Sequence, residues 1–271
     1  MPRNLDGMAV AITGASSGIG AALARVLAYS GARVCLGARR LDRLQALTVE
    51  LGPAHHAIAV DVSDPDQCRR FIADAHQRFG RLDTVVCNAG YGLLRRVEDT
   101  TPEDWRQILA VNLLGTAACL RAAVPLLRAQ PLRDGWRGQI IVVSSILARR
   151  AAPDVAAYCA TKAAQLSLAE SARVELHADR IAVTSVHPIG TSTEFFTTSE
   201  QVSGRRYAST PGPMPQQSPE QVARAIAAAI RRPCAEVWPH RPSRWLAGLA
   251  TLCPGLGDWA MRRHRRIADP R

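Results

Sequence analysis

Met8-Ala9-Val10-Ala11-Ile12 runs directly into Thr13-Gly14-Ala15-Ser16-Ser17-Gly18-Ile19-Gly20, and an alanine-rich stretch closed by Gly31 follows. Five apolar residues before a glycine cluster read as a buried strand, and residues 21–30 read as a helix. Between them, glycines at 14, 18 and 20 let the backbone approach an anion closely. The helix N-terminus supplies N–H groups and a favourable dipole for it. Strand, glycine turn and helix in this order predict a pyrophosphate cradle made of Gly14, Ser16, Ser17, Gly18, Ile19 and Gly20.

The same alternation continues outward from this unit. Short apolar runs at 33–36, 56–62, 82–87, 139–144 and 181–186 read as strands, with a candidate seventh at 235–238. Helical patterns fill 65–79, 102–128, 155–177 and 219–231, the second interrupted near Asn112 and Gly115. This spacing predicts an α/β protein: a single doubly wound Rossmann-type domain over residues 1–240, with a parallel seven-stranded sheet and helices on both faces. Residues 197–218 break the pattern, being rich in Pro, Gly, Ser, Thr and Gln. A long loop is expected there, with 194–217 lying as a substrate lid over the carboxyl edge of the sheet.

Composition excludes several alternatives. Hydrophobic residues make up 47% of the 271, enough for a full core, and no run of 18 uncharged apolar residues suggests a spanning helix. The first six residues carry no apolar signal segment, so a cytoplasmic location is expected. Seven scattered cysteines without a Cys-x-x-Cys pair fit neither a disulfide framework nor a zinc site, and no metal is expected. The net charge of +11 is uneven: residues 231–271 hold nine arginines and three acids. No helix-turn-helix, RNP or zinc-finger pattern accompanies it, so nucleic acid is not the expected partner. Within the extension 241–271, Trp245, Leu246, Leu249 and Leu252 fall at helical spacing, and Trp259 and Met261 precede Arg262-Arg263-His264-Arg265-Arg266. A helix packed on the domain or on a second subunit is the simpler reading; peripheral contact with a membrane surface is the other.

One residue stands apart chemically. Lys162 is the only lysine among 34 basic residues, and it lies four positions after Tyr158. On a helix the two share a face. A nearby ammonium stabilises a phenolate and lowers the phenol's pKa by about 1–3 units, and a compact ammonium does this better than a planar guanidinium. Tyr158 and Lys162 therefore read as an acid/base pair.

Taken together, the TGxxxGIG turn, Asn88-Ala89-Gly90 after the fourth strand, Val111-Asn112, Ser145 thirteen residues before Tyr158, and Tyr158-x-x-x-Lys162 resemble the short-chain dehydrogenase/reductase family, from about Leu5 to about Val237. The resemblance implies an NAD(P)-dependent oxidoreductase moving hydride between a nicotinamide and a carbonyl/alcohol pair. Tyr158 would donate and accept the proton, and Lys162 would lower its pKa and hold the nicotinamide ribose. Ser145 would bond the substrate oxygen, with Ser144 as the alternative serine, and Asn112 would hold a water relaying protons to Lys162. Asn88, Ala89 and Gly90 would line the cofactor, and Asp61-Val62 resembles the family's adenine-contact pair. Pro188 and Thr193 align with residues near the carboxamide, although Ile189 stands where the family has glycine. The two long helices resemble the family's dimer-forming pair, implying a homodimer or homotetramer.

Cofactor choice is read after the second strand, in Gly37-Ala38-Arg39-Arg40. No carboxylate is present there to accept from a ribose 2′-hydroxyl, while Arg39 and Arg40 offer cations to a 2′-phosphate. NADP(H) is thus expected over NAD(H), which remains usable. Leu93, Leu94, Leu147, Phe195 and Phe196, with Ser145 and Tyr158, suggest an apolar pocket for a small-molecule ketone, aldehyde or alcohol. A 3-oxoacyl thioester reductase and a non-catalytic NADP-binding sensor or scaffold are the rival readings. Members acting on acyl-carrier-protein thioesters commonly end near the seventh strand, whereas this chain continues 33 residues past Trp238.

Overall fold

The computed structural model describes residues 2–205 and 216–268, the last six of them by backbone alone. Seven strands form one parallel sheet: β1 (Ala9–Thr13), β2 (Arg33–Ala38), β3 (His56–Ala59), β4 (Thr84–Cys87), β5 (Gly138–Val143), β6 (Ile181–Val186) and β7 (Glu236–Val237). Their spatial order is β3-β2-β1-β4-β5-β6-β7. The order reverses between β1 and β4, which opens a crevice at their carboxyl ends.

Strand alternation sends side chains to two separate cores. Val10, Ile12, Val34, Leu36, Val86 and Ile141 face the side covered by α1 (Gly18–Ala28), α2 (Leu41–Leu51) and α8 (Pro219–Arg231). Ala9, Ala11, Cys35, Val85, Ile140 and Val142 face the side covered by α3 (Pro65–Phe79), α5 (Gly115–Ala129) and α6 (Ala156–Glu175). Alanines 21, 22 and 24 keep α1 close to the sheet. Helix starts carry their own signals. Asp64 accepts from the backbone N–H groups of Asp66 and Gln67 ahead of Pro65. Thr101 with Asp104 caps α4 (Pro102–Leu109), and Ser218 with Gln221 caps α8.

The expected interruption near Asn112 is a π-helical turn, Ala110–Leu114, between α4 and α5. By length and composition Pro102–Ala129 is apolar enough to cross a bilayer, but Cys119, Leu120, Ala123 and Leu127 are spent on the sheet core. Five cysteines are buried and Cys234 and Cys253 are exposed, all as free thiols.

One element lies where the sequence reading assigned none, and one expectation needs correction. Residues 41–51 form the helix α2, for which no strong signal was read: only Leu44 and Leu47 are fully buried, so its apolar stripe is narrow. The long loop after β6 is not wholly a loop, because Phe195–Ser203 is a helix, α7, ended by Gly204 at φ 63°. Its polar residues include the buried Ser199 and Ser203, and the Ser203 hydroxyl accepts from the backbone N–H of Leu94 at 2.8 Å. Polarity here marks contact with other backbone rather than exposure. Residues 206–215 of the anticipated lid lie outside the described residues. The extension contains α9 (Arg241–Leu252) and α10 (Pro254–Ala268); the side chains of residues 263–266 in the basic run lie outside the description.

Candidate active site

The carboxyl ends of the strands open into a cleft of about 1250 Å³. One side is the glycine turn. Gly14 has φ +67°, and a Cβ there would come within 2.8 Å of Ala89 Cα. Gly18 opens α1 at φ +54°. Ser17 is the N-cap but makes no capping bond with its side chain, so the first-turn N–H groups of α1 have no side-chain acceptor there. This is a cradle shaped for an anion, and it fits a dinucleotide pyrophosphate. Ser16, Ser17 and Ile19 line it, and Gly20 sits behind it against the Gly14 carbonyl. Asn88 staples the turn to β4, its amide donating to the carbonyls of Thr13 at 3.0 Å and Gly14 at 3.2 Å. Asp61, Val62, Ala89 and Gly90 continue this wall.

At the β2 end, Arg39 is exposed and lines the cleft. Arg40 lies across the cradle. Its Nη2 donates to Ser16 Oγ at 3.0 Å and to Ser17 Oγ at 2.8 Å, and its Nη1 pairs with Glu194 at 2.9 Å.

Ser145, Tyr158 and Lys162 line the same cleft, as do Pro188 and Thr193, the latter beside Gly18 of the cradle. Ser145 Oγ accepts from Leu147 N at 3.1 Å, which leaves its O–H to donate into the cleft. Ser144 Oγ instead donates to the Lys162 carbonyl at 2.9 Å, so the alternative serine is committed to α6. Lys162 is 4% exposed, and its Nζ lies 5.6 Å from the centre of the Tyr158 ring. The ammonium donates to Val143 O and Gln165 Oε1, each at 2.8 Å. Burial pulls its pKa down from 10.5 to about 7, because desolvation penalises the charged form.

Asn112 is fully buried behind the cleft. Its Oδ1 accepts from Tyr91 N, and its Nδ2 donates to Tyr91 O and Thr161 Oγ1, all at 3.0 Å. The π turn frees its backbone carbonyl, which accepts from Gln165 Nε2 at 2.6 Å and Thr116 Oγ1 at 2.8 Å. Asn112 thus joins Lys162 through the Gln165 amide.

The rest of the cleft lining mixes apolar residues with the charged Arg96, Asp154, Glu200 and Arg205. Leu94, Leu147, Phe195 and Phe196 are among the apolar ones. Phe195 meets Tyr158 edge-on, with ring centres 5.3 Å apart. Leu93 is not on this lining: it is buried with Ile108 and Ala157, beneath Tyr91 and Tyr158. Of the two adjacent leucines, only Leu94 lines the cleft.

A scan against family models matches residues 8–203 to the short chain dehydrogenase family. Among curated proteins, 11-beta-hydroxysteroid dehydrogenase 1A of Arabidopsis thaliana is 36% identical over 284 residues, covering 96% of this chain and 76% of that protein. The chain is a short-chain dehydrogenase/reductase. Two solved structures resemble it closely. A 3-ketoacyl-(acyl-carrier-protein) reductase from Brucella melitensis, complexed with NADH, has a TM-score of 0.77 at 27% identity, covering 86% of this chain and 97% of that one. An alcohol dehydrogenase from Thermococcus sibiricus, complexed with 5-hydroxy-NADP, has a TM-score of 0.72 at 31% identity, covering 85% and 95%. This short-chain dehydrogenase/reductase is accordingly an oxidoreductase of CH–OH/C=O pairs that uses NAD(P).

Several residues of the enzyme's site were not among those the sequence pointed to. Gln165 had a usable signal: it is a polar residue three positions after Lys162, on the inward face of α6. Gln217 stitches the turn after β6, accepting from Ile189 N and donating its backbone N–H to Gly190 O, and so holds the turn where glycine was expected. His187 is buried against Trp238, ring centres 4.4 Å apart, with Nδ1 3.2 Å from the Ser145 carbonyl. A carbonyl only accepts, so Nδ1 carries the proton and Nε2 accepts from Ser185 Oγ. Burial lowers its pKa.

Proposed function

We propose that the enzyme transfers hydride between NADP(H) and the carbonyl or secondary alcohol of an apolar small molecule. The observation that carries this reading is a single cleft lined by Tyr158 and Lys162 with Leu147, Phe195 and Phe196, and also by Arg39 and Arg40. When bound, the nicotinamide supplies or accepts the hydride. Gly14, Ser16, Ser17, Gly18 and Ile19 would hold its pyrophosphate, Asp61 and Val62 its adenine, and Pro188 and Thr193 its carboxamide region.

The chain's own groups do the proton chemistry. Ser145 and the Tyr158 hydroxyl would both bond the substrate oxygen. As negative charge grows on that oxygen during reduction, Tyr158 donates its proton and Ser145 its hydrogen bond. The phenolate left on Tyr158 is stabilised by Lys162 in its ammonium form, aimed by Val143 O and Gln165. In oxidation the same proton moves back. Phe195 and Leu147 exclude water and favour substrates without charge near the reacting carbon.

NADPH and NADH oxidation followed at 340 nm against a panel of ketones, aldehydes and 3-oxoacyl thioesters tests the reading. Turnover of apolar ketones with a higher kcat/KM for NADPH supports it. Selective turnover of acyl thioesters would favour the reductase alternative, and nucleotide binding without any turnover would favour a sensor or scaffold.

One observation favours a second reading of where the enzyme works. Trp245 and Leu252 on α9 are 80% and 83% exposed, Leu256 and Trp259 on α10 are half exposed, and the extension is arginine-rich. Apolar residues beside cations suit an anionic membrane surface. Co-sedimentation with anionic but not neutral liposomes, lost in Trp245→Glu/Leu252→Glu, would support it. If light scattering instead shows that variant falling from oligomer to monomer, these residues form a subunit contact. Exposed Leu114 and Val174, on the α4–α5 and α6 stretches, support a separate homodimer contact there.

A further inference from the structure

The end of β2 carries Arg39 and Arg40 and no acid, yet a carboxylate does reach that end of the cleft. It is Glu194, 154 residues away in sequence from Arg40. One of its oxygens takes Arg40 Nη1 at 2.9 Å and the other takes Arg43 Nη1 at 2.6 Å. The remaining nitrogens of Arg40 donate to the hydroxyls of Ser16 and Ser17. Each of the three guanidinium nitrogens therefore donates to a protein acceptor, and Glu194 is held below the usual carboxylate range first by Arg40 and then by Arg43.

We propose that Glu194 sets the cofactor preference of this enzyme, by occupying Arg40 and Arg43 against a 2′-phosphate and so keeping NAD(H) usable. The inference rests on the NADP(H) reading above and adds the residue that limits it. A 2′-phosphate arriving beside Arg39 and Arg40 brings about two negative charges. It must displace Glu194 from the arginines or sit against it, and like charges at that distance repel. A ribose 2′-hydroxyl brings no charge, and it can donate to a carboxylate. One acid thus penalises the phosphorylated cofactor and tolerates the other. The pairs are exposed, Arg40 and Glu194 by 41% and 46% of their side chains, so solvent and salt hold the effect to a few-fold. The opposite sign would follow if Glu194 merely pre-ordered the arginines for phosphate, which makes the sign the test.

The experiment uses fragments that need no substrate. Dissociation constants of 2′,5′-ADP and 5′-AMP are measured by calorimetry for the full-length protein and for Glu194→Gln, a surface change that keeps shape and removes charge. The variant is expected to bind 2′,5′-ADP roughly three- to tenfold more tightly, with 5′-AMP within about twofold, and the gain should shrink at high salt. Unchanged or weaker binding of 2′,5′-ADP by Glu194→Gln overturns the proposal. Failure of the underlying reading looks different: a wild-type protein that binds 2′,5′-ADP no better than 5′-AMP contradicts the NADP(H) preference, whatever the variant does.

Discussion

The two ends of the cleft hold charge in opposite ways. At the catalytic end one ammonium, Lys162, is almost fully buried and its charge is set by two hydrogen bonds and by the lack of water. At the β2 end, Arg40 and Arg43 pair with Glu194 at a solvent-exposed surface, and Arg39 is exposed beside them. Burial makes each contact of the first group consequential, because a low dielectric magnifies both attraction and desolvation. Exposure makes each contact of the second group nearly dispensable, so selectivity there is a sum of small terms. Mutations should therefore act steeply at one end and shallowly at the other.

The steepest test is Tyr158→Phe. Loss of one hydroxyl should lower kcat by about 10²–10⁴-fold, while the dissociation constant for NADPH stays within about twofold, since the ring still packs against Phe195. Retained turnover would remove Tyr158 from the proton transfer. Lys162→Arg should also fail, because a guanidinium cannot occupy a slot closed by Val143 O and Gln165 Oε1.

Next in size is Gln165→Leu. The change leaves Lys162 short of one buried acceptor, an omission of about 1–3 kcal/mol in folding stability. The ammonium form loses most by it, so the alkaline limb of kcat/KM should move to lower pH. A drop in Tm with an unmoved pH profile would mean that Gln165 only packs.

The depressed pKa of Lys162 gives a pH test that needs no mutation. In the free enzyme the group titrates near 7, against 10.5 when unfolded. Between those values the unfolded chain binds more protons, so this group makes folding stability rise with pH from about 7 to 10.5. An anionic dinucleotide beside it acts in the other direction and raises its pKa. At pH 8, binding of NADP⁺ should therefore take up a substantial fraction of one proton, seen as a binding enthalpy that varies with the ionisation enthalpy of the buffer. Buffer-independent heats would show that Lys162 is already charged.

The same contrast explains what could be read from the chain. The parallel sheet and its glycine turn were legible because strands buried on both faces leave continuous apolar runs, as in Met8–Ile12, and glycine turns have a fixed wording. Tyr158, Lys162, Ser145 and Asn112 were legible because local spacing on one helix or strand end brings them in. Asn112 further announced itself through an interruption of its helix. Glu194 was not legible, since nothing in 41–51 or 190–196 signals that Arg43 and Glu194 meet. Nor was α7, whose buried serines look like loop residues until Leu94 is seen to need an acceptor. Leu93 and Leu94 were indistinguishable by type, and only the backbone direction separates core from cleft.

The smallest expected effect lies at Arg39. It is exposed, lines the cleft and makes no ion pair among the described residues, so no internal partner needs to be broken for it to meet a 2′-phosphate. Arg39→Ala should weaken NADPH binding about three- to tenfold, the range for one solvent-screened charged contact, and leave NADH unchanged. The loss should fade as salt is raised toward 1 M, where screening shortens to about 3 Å. Tyr158→Phe, by contrast, should be insensitive to salt, because what is lost is a proton donor, which no ion replaces. A salt-independent loss at Arg39, or a salt-dependent one at Tyr158, would erase the distinction between the two ends.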